Sequence, residues 1–194
     1  MSEVIDIFKT PLYFAELKLD NKQMASYCLS MSKKDKEGRH LSNIGGWQSK
    51  NLKGEHKPLN QLFIEITKHI GLFNQTLQLN MSNNLGNIWV NINGYKDTNA
   101  PHIHPGCLIS GVYYVQTPKD CGNIQFRHPN YNCFQYDWDS DEQQGIKFNQ
   151  YNSNEWWFPS LAGRLYLFPS WLTHYVKPNY SKEKRISISF NSSD

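Results

Sequence analysis

Three histidines and one arginine have the spacing most suggestive of chemistry. Pro101-His102-Ile103-His104-Pro105 sets two imidazoles one residue apart. Side chains alternate across an extended strand, so both rings project to the same side and form a ready pair of metal ligands. The run that follows, Gly106 to Val115, is β-rich and apolar, which places the pair at the mouth of a sheet rather than on a solvated helix. Far downstream, Trp171 to Val176 offers a third imidazole, His174, on another expected strand. Eleven positions later Arg185 opens the strand Arg185 to Phe190. Two neutral imidazoles and one further His or carboxylate make a three-coordinate face that leaves positions on a metal open for substrate and oxygen. Imidazole alone does not choose iron over zinc. A single His beside Pro is usually a turn residue, and Arg185 alone would be a surface charge. It is the alternating pair joined in order by a third His that points to a metal.

These residues need a scaffold. At 194 residues the chain fits one ordinary domain with a substantial core. With 11 Tyr, 10 Phe and 6 Trp and few long apolar helical runs, a β-rich core with aromatic-lined surfaces is expected. A net charge of +3 from 20 basic and 17 acidic residues is too balanced to imply nucleic acid or an anionic membrane as partner. Lys33-Lys34-Asp35-Lys36 and Lys182-Glu183-Lys184 read as solvated loops. Cys28, Cys107, Cys121 and Cys133 show no C-x-x-C spacing, so reduced thiols in a cytoplasmic setting are expected. The N-terminal residues have neither the basic nor the apolar region of a signal peptide, and no run reaches the length needed to span a bilayer.

In chain order, Ile5 to Leu17 is extended in character and interrupted by Pro11, which suits an edge strand. Asn21 to Met31 reads as a helix, with Met24, Tyr27, Cys28 and Met31 at three- and four-residue intervals. Ser32 to Pro58 is polar and glycine-bearing and reads as a long loop; within it Gly45-Gly46-Trp47 is either a turn with a packing aromatic or a substrate-side loop. A second helix is expected from Leu59 to about Gln75, with Leu62, Phe63, Ile66, Ile70 and Phe73 on one core-facing stripe. From residue 87 the signal changes to strands. Ile88, Val90 and Ile92 alternate with Trp89, Asn91 and Asn93, one face core and the other polar, as in a sheet lining a ligand cavity. Further strands are expected at residues 111–116, 123–127, 163–168, 171–176 and 185–191. The interval 129–159 is rich in Asn, Gln, Asp and aromatics, including Phe134, Tyr136, Trp138, Trp156 and Trp157, and reads as an insertion able to cover a cavity. The pattern is α+β, mainly β, with a sandwich or jelly-roll body and N-terminal helices packed on a sheet.

His102-Ile-His104-Pro-Gly, Ser110-Gly-Val-Tyr-Tyr-Val115, Gly122-Asn-Ile-Gln-Phe126, Gly163 to His174 and Arg185-Ile-Ser-Ile-Ser-Phe-Asn191, in that order, resemble the 2-oxoglutarate and Fe(II)-dependent oxygenases. The likeness is to small members found in bacteria and tailed phages. It covers residues 87–191, and Gly45-Gly46-Trp47-Gln48-Ser49 also resembles that subgroup. The resemblance implies a double-stranded β-helix of the cupin-like type over 87–191, supported by residues 1–80, in a single domain. It implies Fe(II) as metal, 2-oxoglutarate as small-molecule cosubstrate and O2 as oxidant. Oxidative decarboxylation to succinate and CO2 would be coupled to hydroxylation of an unidentified substrate. His102 matches the family's first metal ligand and His174 its distal one. At the second position the family has a carboxylate and this chain has His104. Either His104 ligates, which is favoured and gives a three-histidine face, or the metal keeps two protein ligands. Arg185 matches the cation that pairs the cosubstrate's distal carboxylate, a task suited to a planar guanidinium fork. Ser187 and Tyr114 match its neighbours, with Tyr113 an alternative to Tyr114, and Asn93 and Tyr95 resemble an Asn-x-Tyr element contacting the cosubstrate. Trp47, Trp156 and Trp157 are candidates for substrate contacts, and an exposed aromatic insertion would suit a homodimer. Two rival readings are a three-His cupin-like enzyme that does not use 2-oxoglutarate and a non-catalytic jelly-roll binding module.

Overall fold

The computed structural model describes residues 2–131 and 147–193. The extended N-terminal segment condenses beyond Pro11 into an edge strand, Tyr13–Glu16 (β1). The first helix, Asn21–Lys34 (α1), starts where the Asp20 carboxylate accepts from the Gln23 amide at 3.0 Å, capping an otherwise orphaned donor. The stretch expected to be a loop instead holds two short strands, Asn43–Ile44 (β2) and Trp47–Gln48 (β3). Gly45 and Gly46 join them with φ of 67° and 66°, a left-handed pair that side chains disfavour. Two-residue strands carry no alternation, so nothing periodic announced them. After a 3-10 turn at Lys57–Leu59, helix Asn60–Thr76 (α2) buries Leu62, Ile66, Ile70 and Phe73 along one stripe.

The remaining elements are strands: Leu85–Asn93 (β4), Thr98–His102 (β5), Ile109–Gln116 (β6), Ile124–Arg127 (β7), Glu155–Phe158 (β8), Arg164–Pro169 (β9), His174–Val176 (β10) and Arg185–Ser192 (β11). Among the described residues they build two antiparallel sheets. One has six strands in the order β1-β9-β6-β11-β4-β3, the other five in the order β2-β5-β10-β7-β8. From β4 to β11 the chain passes from sheet to sheet at all but one connection, which is a jelly roll. The strand expected at 171–176 is shorter because Leu172 N–H donates to Pro169 O at 3.0 Å, closing a turn that delays β10 to His174. β8 emerges from the end of the expected insertion; Cys133, Phe134, Tyr136 and Trp138 lie outside the described residues.

Alternation decides which side of the six-stranded sheet does what. Ile88, Val90 and Ile92 of β4 and Ile186, Ile188 and Phe190 of β11 are buried together with Met24 and Cys28 of α1 and Leu62, Ile66 and Ile70 of α2. Each fully buried Ile contributes about 1.5–3 kcal/mol over an exposed one, so this face supplies much of the stability. The opposite residues of the same strands, Trp89, Asn91, Asn93, Arg185, Ser187 and Ser189, turn toward the second sheet. They share that interior with an aromatic cluster of Tyr114, Phe126, Tyr166 and Phe168. Tyr113 and Tyr114 divide between the two sides as period two demands, Tyr113 donating to Asn21 Oδ1 at 2.7 Å on the helix side.

Candidate metal centre and cosubstrate pocket

The three histidines converge through strand pairing. His102 ends β5, and in the β5–β10 ladder it lies directly opposite His174. His104 falls beyond the end of β5, where its N–H donates to Ser170 O at 3.0 Å and turns its ring back toward the pair. Ring centroids are 4.3 Å apart for His102 and His174, 5.0 Å for His102 and His104, and 5.1 Å for His104 and His174. One ring nitrogen from each lies within 4.8 Å of the others.

Hydrogen bonding sets the tautomers of two of them. His102 Nδ1 is 2.7 Å from Ala100 O, and His174 Nδ1 is 2.9 Å from Leu172 O. A carbonyl oxygen can only accept, so each Nδ1 carries the proton and each Nε2 keeps its lone pair. Both acceptors belong to the residue two positions upstream. Burial denies water to a charged ring, and the neighbouring imidazoles oppose a second charge. Together these hold His174 down to about 3 and His104 to about 4, and burial lowers His102 as well. At neutral pH the cluster therefore presents three neutral imidazoles, the state in which imidazole binds a metal. Trp89 walls the site on one side, 5.6 Å from His104, and Phe168 on another, 4.6 Å from His174.

Beneath the rings is a narrow cavity of about 40 Å³ whose lining includes Asn91, Tyr114, Ile124, Ser187 and Ser189. Just behind it Arg185 is 1% exposed, with no carboxylate in ion-pair range among the described residues. Nη1 donates to the carbonyls of Cys121 and, at 3.1 Å, Lys177, while Nη2 has no partner among the described residues. Burial lowers its pKa, and Tyr114, Cys121 and Asp97 oppose that shift. A buried guanidinium with an unused donor is costly unless an anion completes it. The buried Tyr114 hydroxyl beside it has the Ser160 side chain as polar neighbour but makes no well-formed hydrogen bond among the described residues; burial pushes its pKa up to about 12, so it stays a donor at neutral pH. Asn93, opposite Arg185 in the β4–β11 register, has an unpartnered Oδ1. The chemistry of the residues present thus fits both a divalent metal and a carboxylate behind it.

Other candidates lie elsewhere. Tyr95 is 56% exposed and packs edge-on against Tyr180, away from the cavity. Trp47 faces the helices, its Nε1–H donating to Asp35 O at 2.6 Å, which makes the glycine pair a turn with a packing aromatic. Trp157 is 52% exposed on edge strand β8. Trp156 stacks on Phe148 at 4.9 Å and lines a separate cavity of about 300 Å³ with Phe126 and Leu172. The residue that sequence reading passed over is Gln48, next to Trp47 and therefore on the other face, buried with Oε1 unpartnered. No periodic signal could have found it, because the two-residue strand β3 carries no alternation. Gln48 lines a groove of about 550 Å³ that opens onto His102 and His104.

With this geometry in view, comparisons with known proteins are informative. A family model described as "Putative 2OG-Fe(II) oxygenase" matches residues 87–191. No curated protein matches significantly in sequence. Among solved structures, a prolyl-4-hydroxylase of Pseudomonas putida is similar with a TM-score of 0.64 at 15% identity, covering 95% of this chain and 94% of that one. A Trichoplax adhaerens prolyl hydroxylase in complex with a hypoxia inducible factor peptide fragment gives 0.65 at 16%, covering 94% and 83%. The non-heme alpha ketoglutarate dependent carbocyclase SnoK from nogalamycin biosynthesis gives 0.66 at 10%, covering 95% and 80%. At such identities the likeness is one of fold.

Proposed function

The chain belongs to the 2OG-Fe(II) oxygenase family, and from that premise we propose that it is a hydroxylase in which His102, His104 and His174 hold Fe(II) and Arg185 anchors 2-oxoglutarate. When bound, iron and cosubstrate supply the net reaction of 2-oxoglutarate, O2 and a substrate C–H bond to succinate, CO2 and an alcohol. The chain's own residues do the positioning. The Ala100 and Leu172 carbonyls hold two imidazoles in the ligating tautomer. Tyr114 and Ser187 line the cavity with their hydroxyls, and Arg185, electrostatically coupled to Tyr114, would offer its unused Nη2 to the same carboxylate. Trp89, Phe168 and Ile124 exclude water, which strengthens each of those interactions. The groove beyond His104 is where a substrate would meet the centre.

The observation that carries this reading is the convergence of three neutral imidazoles, two with backbone-set tautomers, in front of a buried and incompletely paired Arg185. No carboxylate joins the cluster among the described residues, which favours ligation by His104 over a two-ligand site. Cys28 and Cys121 are free thiols, which supports a cytoplasmic setting, and no helix among the described residues is long and apolar enough to cross a membrane. The test is anaerobic titration with Fe(II) and then 2-oxoglutarate, following the visible charge-transfer band of a keto-acid chelated to iron. The band should appear in the wild type and vanish in His102→Ala and His174→Ala. Iron binding without a band would instead favour a three-histidine enzyme that does not use this cosubstrate.

A further inference from the structure

The groove outside the histidines contains a guanidinium that the reaction so far leaves unused. Arg39 lies just past α1, where an isolated bridge pairs it with Gln48 and its N–H donates to Gln48 O at 2.8 Å. Gly38, at φ 60°, permits that approach, since a Cβ there would collide with the same carbonyl. The bridge extends a row of register partners, Arg39, Gln48, Asn91, Ser187 and Tyr114, across the cavity-facing side of the sheet. Neighbouring strands are about 4.8 Å apart, so the row spans roughly 19 Å from Arg39 to Tyr114. The three imidazoles line the cavity along the row and Arg39 the groove at its outer end, with Arg185 electrostatically coupled to Tyr114 at the inner end.

Three features of the groove converge on one ligand chemistry. Among the described residues the Arg39 side chain has no hydrogen bond or ion pair, and no Asp or Glu lines the groove or the cavity beneath it. The amide oxygen of Gln48, next in the row, is buried and unpartnered among the described residues, an acceptor for an N–H or O–H of a bound molecule. Trp89, Leu41 and Ile103 add apolar wall around a volume of about 550 Å³, suited to a small organic molecule. Resting on the oxygenase reading above, we propose that the primary substrate is an organic acid whose anionic group, carboxylate or phosphate, is bound by Arg39, while the Gln48 oxygen accepts from a donor elsewhere on the same molecule. The reacting carbon is thereby held over the histidines, and the two guanidiniums divide the work, Arg185 taking the cosubstrate and Arg39 the substrate.

The experiment is anaerobic calorimetry on the full chain, with Fe(II) and excess 2-oxoglutarate present to fill the inner anion site. Two matched pairs serve as probes: N-acetyl-L-leucine against N-acetyl-L-leucinamide, and adenosine 5′-monophosphate against adenosine. The charged member of at least one pair should bind about tenfold tighter or more, as a charge-assisted fork contact predicts. That preference should disappear in Arg39→Gln and return in part in Arg39→Lys, and the pair that shows it identifies the anion. Equal binding within both pairs, no binding by any probe, or a preference that survives in Arg39→Gln overturns the proposal. Failure of the oxygenase reading would appear separately, as an absent charge-transfer band in the wild type.

Discussion

The two faces of the six-stranded sheet are made by the same strands yet obey opposite rules. Toward the helices, β4 and β11 present Ile88, Val90, Ile92, Ile186, Ile188 and Phe190, all buried in apolar contact. Toward the second sheet the alternate residues are polar and incompletely satisfied. Seven buried polar side-chain atoms lack a partner among the described residues. All but Asn74 Oδ1 belong to Gln48, Asn91, Asn93, Tyr114, Arg185 or Ser160, on or beside the cavity side. Unsatisfied buried groups each cost on the order of 1–3 kcal/mol, a penalty the helix-side face must offset. Stability and binding are thus separated by a single step along each strand.

The comparison can be broken from either side. Ile188→Ala, on the helix side, should lower unfolding free energy by about 2–5 kcal/mol while leaving Fe(II) affinity of the folded protein unchanged. Urea unfolding and metal titration measure the two, and a large loss of metal affinity would mean that the faces are coupled. Arg185→Ala, one position from Ile186 but on the other face, should weaken 2-oxoglutarate binding by about 2–5 kcal/mol because the carboxylate loses its charged partner. Calorimetry showing wild-type affinity would remove Arg185 from that role.

Acid should act most strongly on the cavity side. Burial holds His174 at about 3 and His104 at about 4, below the 6.5 of the exposed ring. Because the folded-state values are depressed, the unfolded chain takes up protons first as pH falls. This stabilisation is complete above about pH 6.5 and is lost progressively toward pH 4 and below. The metal-free protein should lose about 3–5 kcal/mol between pH 7.5 and 4.5, measured by urea midpoints, with a shallower loss in His174→Ala. The smallest effect is expected from Tyr114→Phe. Deleting this buried hydroxyl, whose polar neighbour is the Ser160 side chain, should change the stability of the ligand-free protein by less than about 1 kcal/mol and weaken 2-oxoglutarate binding by about 0.5–1.5 kcal/mol. A larger loss of stability would show that Ser160 already satisfies the hydroxyl.

Much of this separation was legible in the chain. Period-two alternation in residues 87–93 and 185–191 assigned the faces of β4 and β11 without reference to any partner strand, and the 3.6-residue stripe of α2 did the same for that helix. Local periodicity is a property of the backbone, so it can be read from residue order alone. What escaped reading depended on pairing. β3 and the Arg39 bridge are too short to carry a period, and their place comes only from hydrogen bonds to β4 and to each other. That is why Trp47 drew attention while Gln48, its neighbour on the opposite face, and Arg39 did not.

The histidines show the same division within one site. Residue order alone determined that His102 and His104 form a pair, that His174 follows them and that Arg185 opens the last strand. Only the tertiary structure decided that His174 faces His102 across the β5–β10 ladder, and that His104 returns to the pair through a hydrogen bond to Ser170. It also placed Tyr95 and Trp47 away from the cavity. The physical reason is that side-chain direction along a strand is local, whereas the meeting of residues 72 positions apart, as 102 and 174 are, is set by strand register, which the whole sandwich determines.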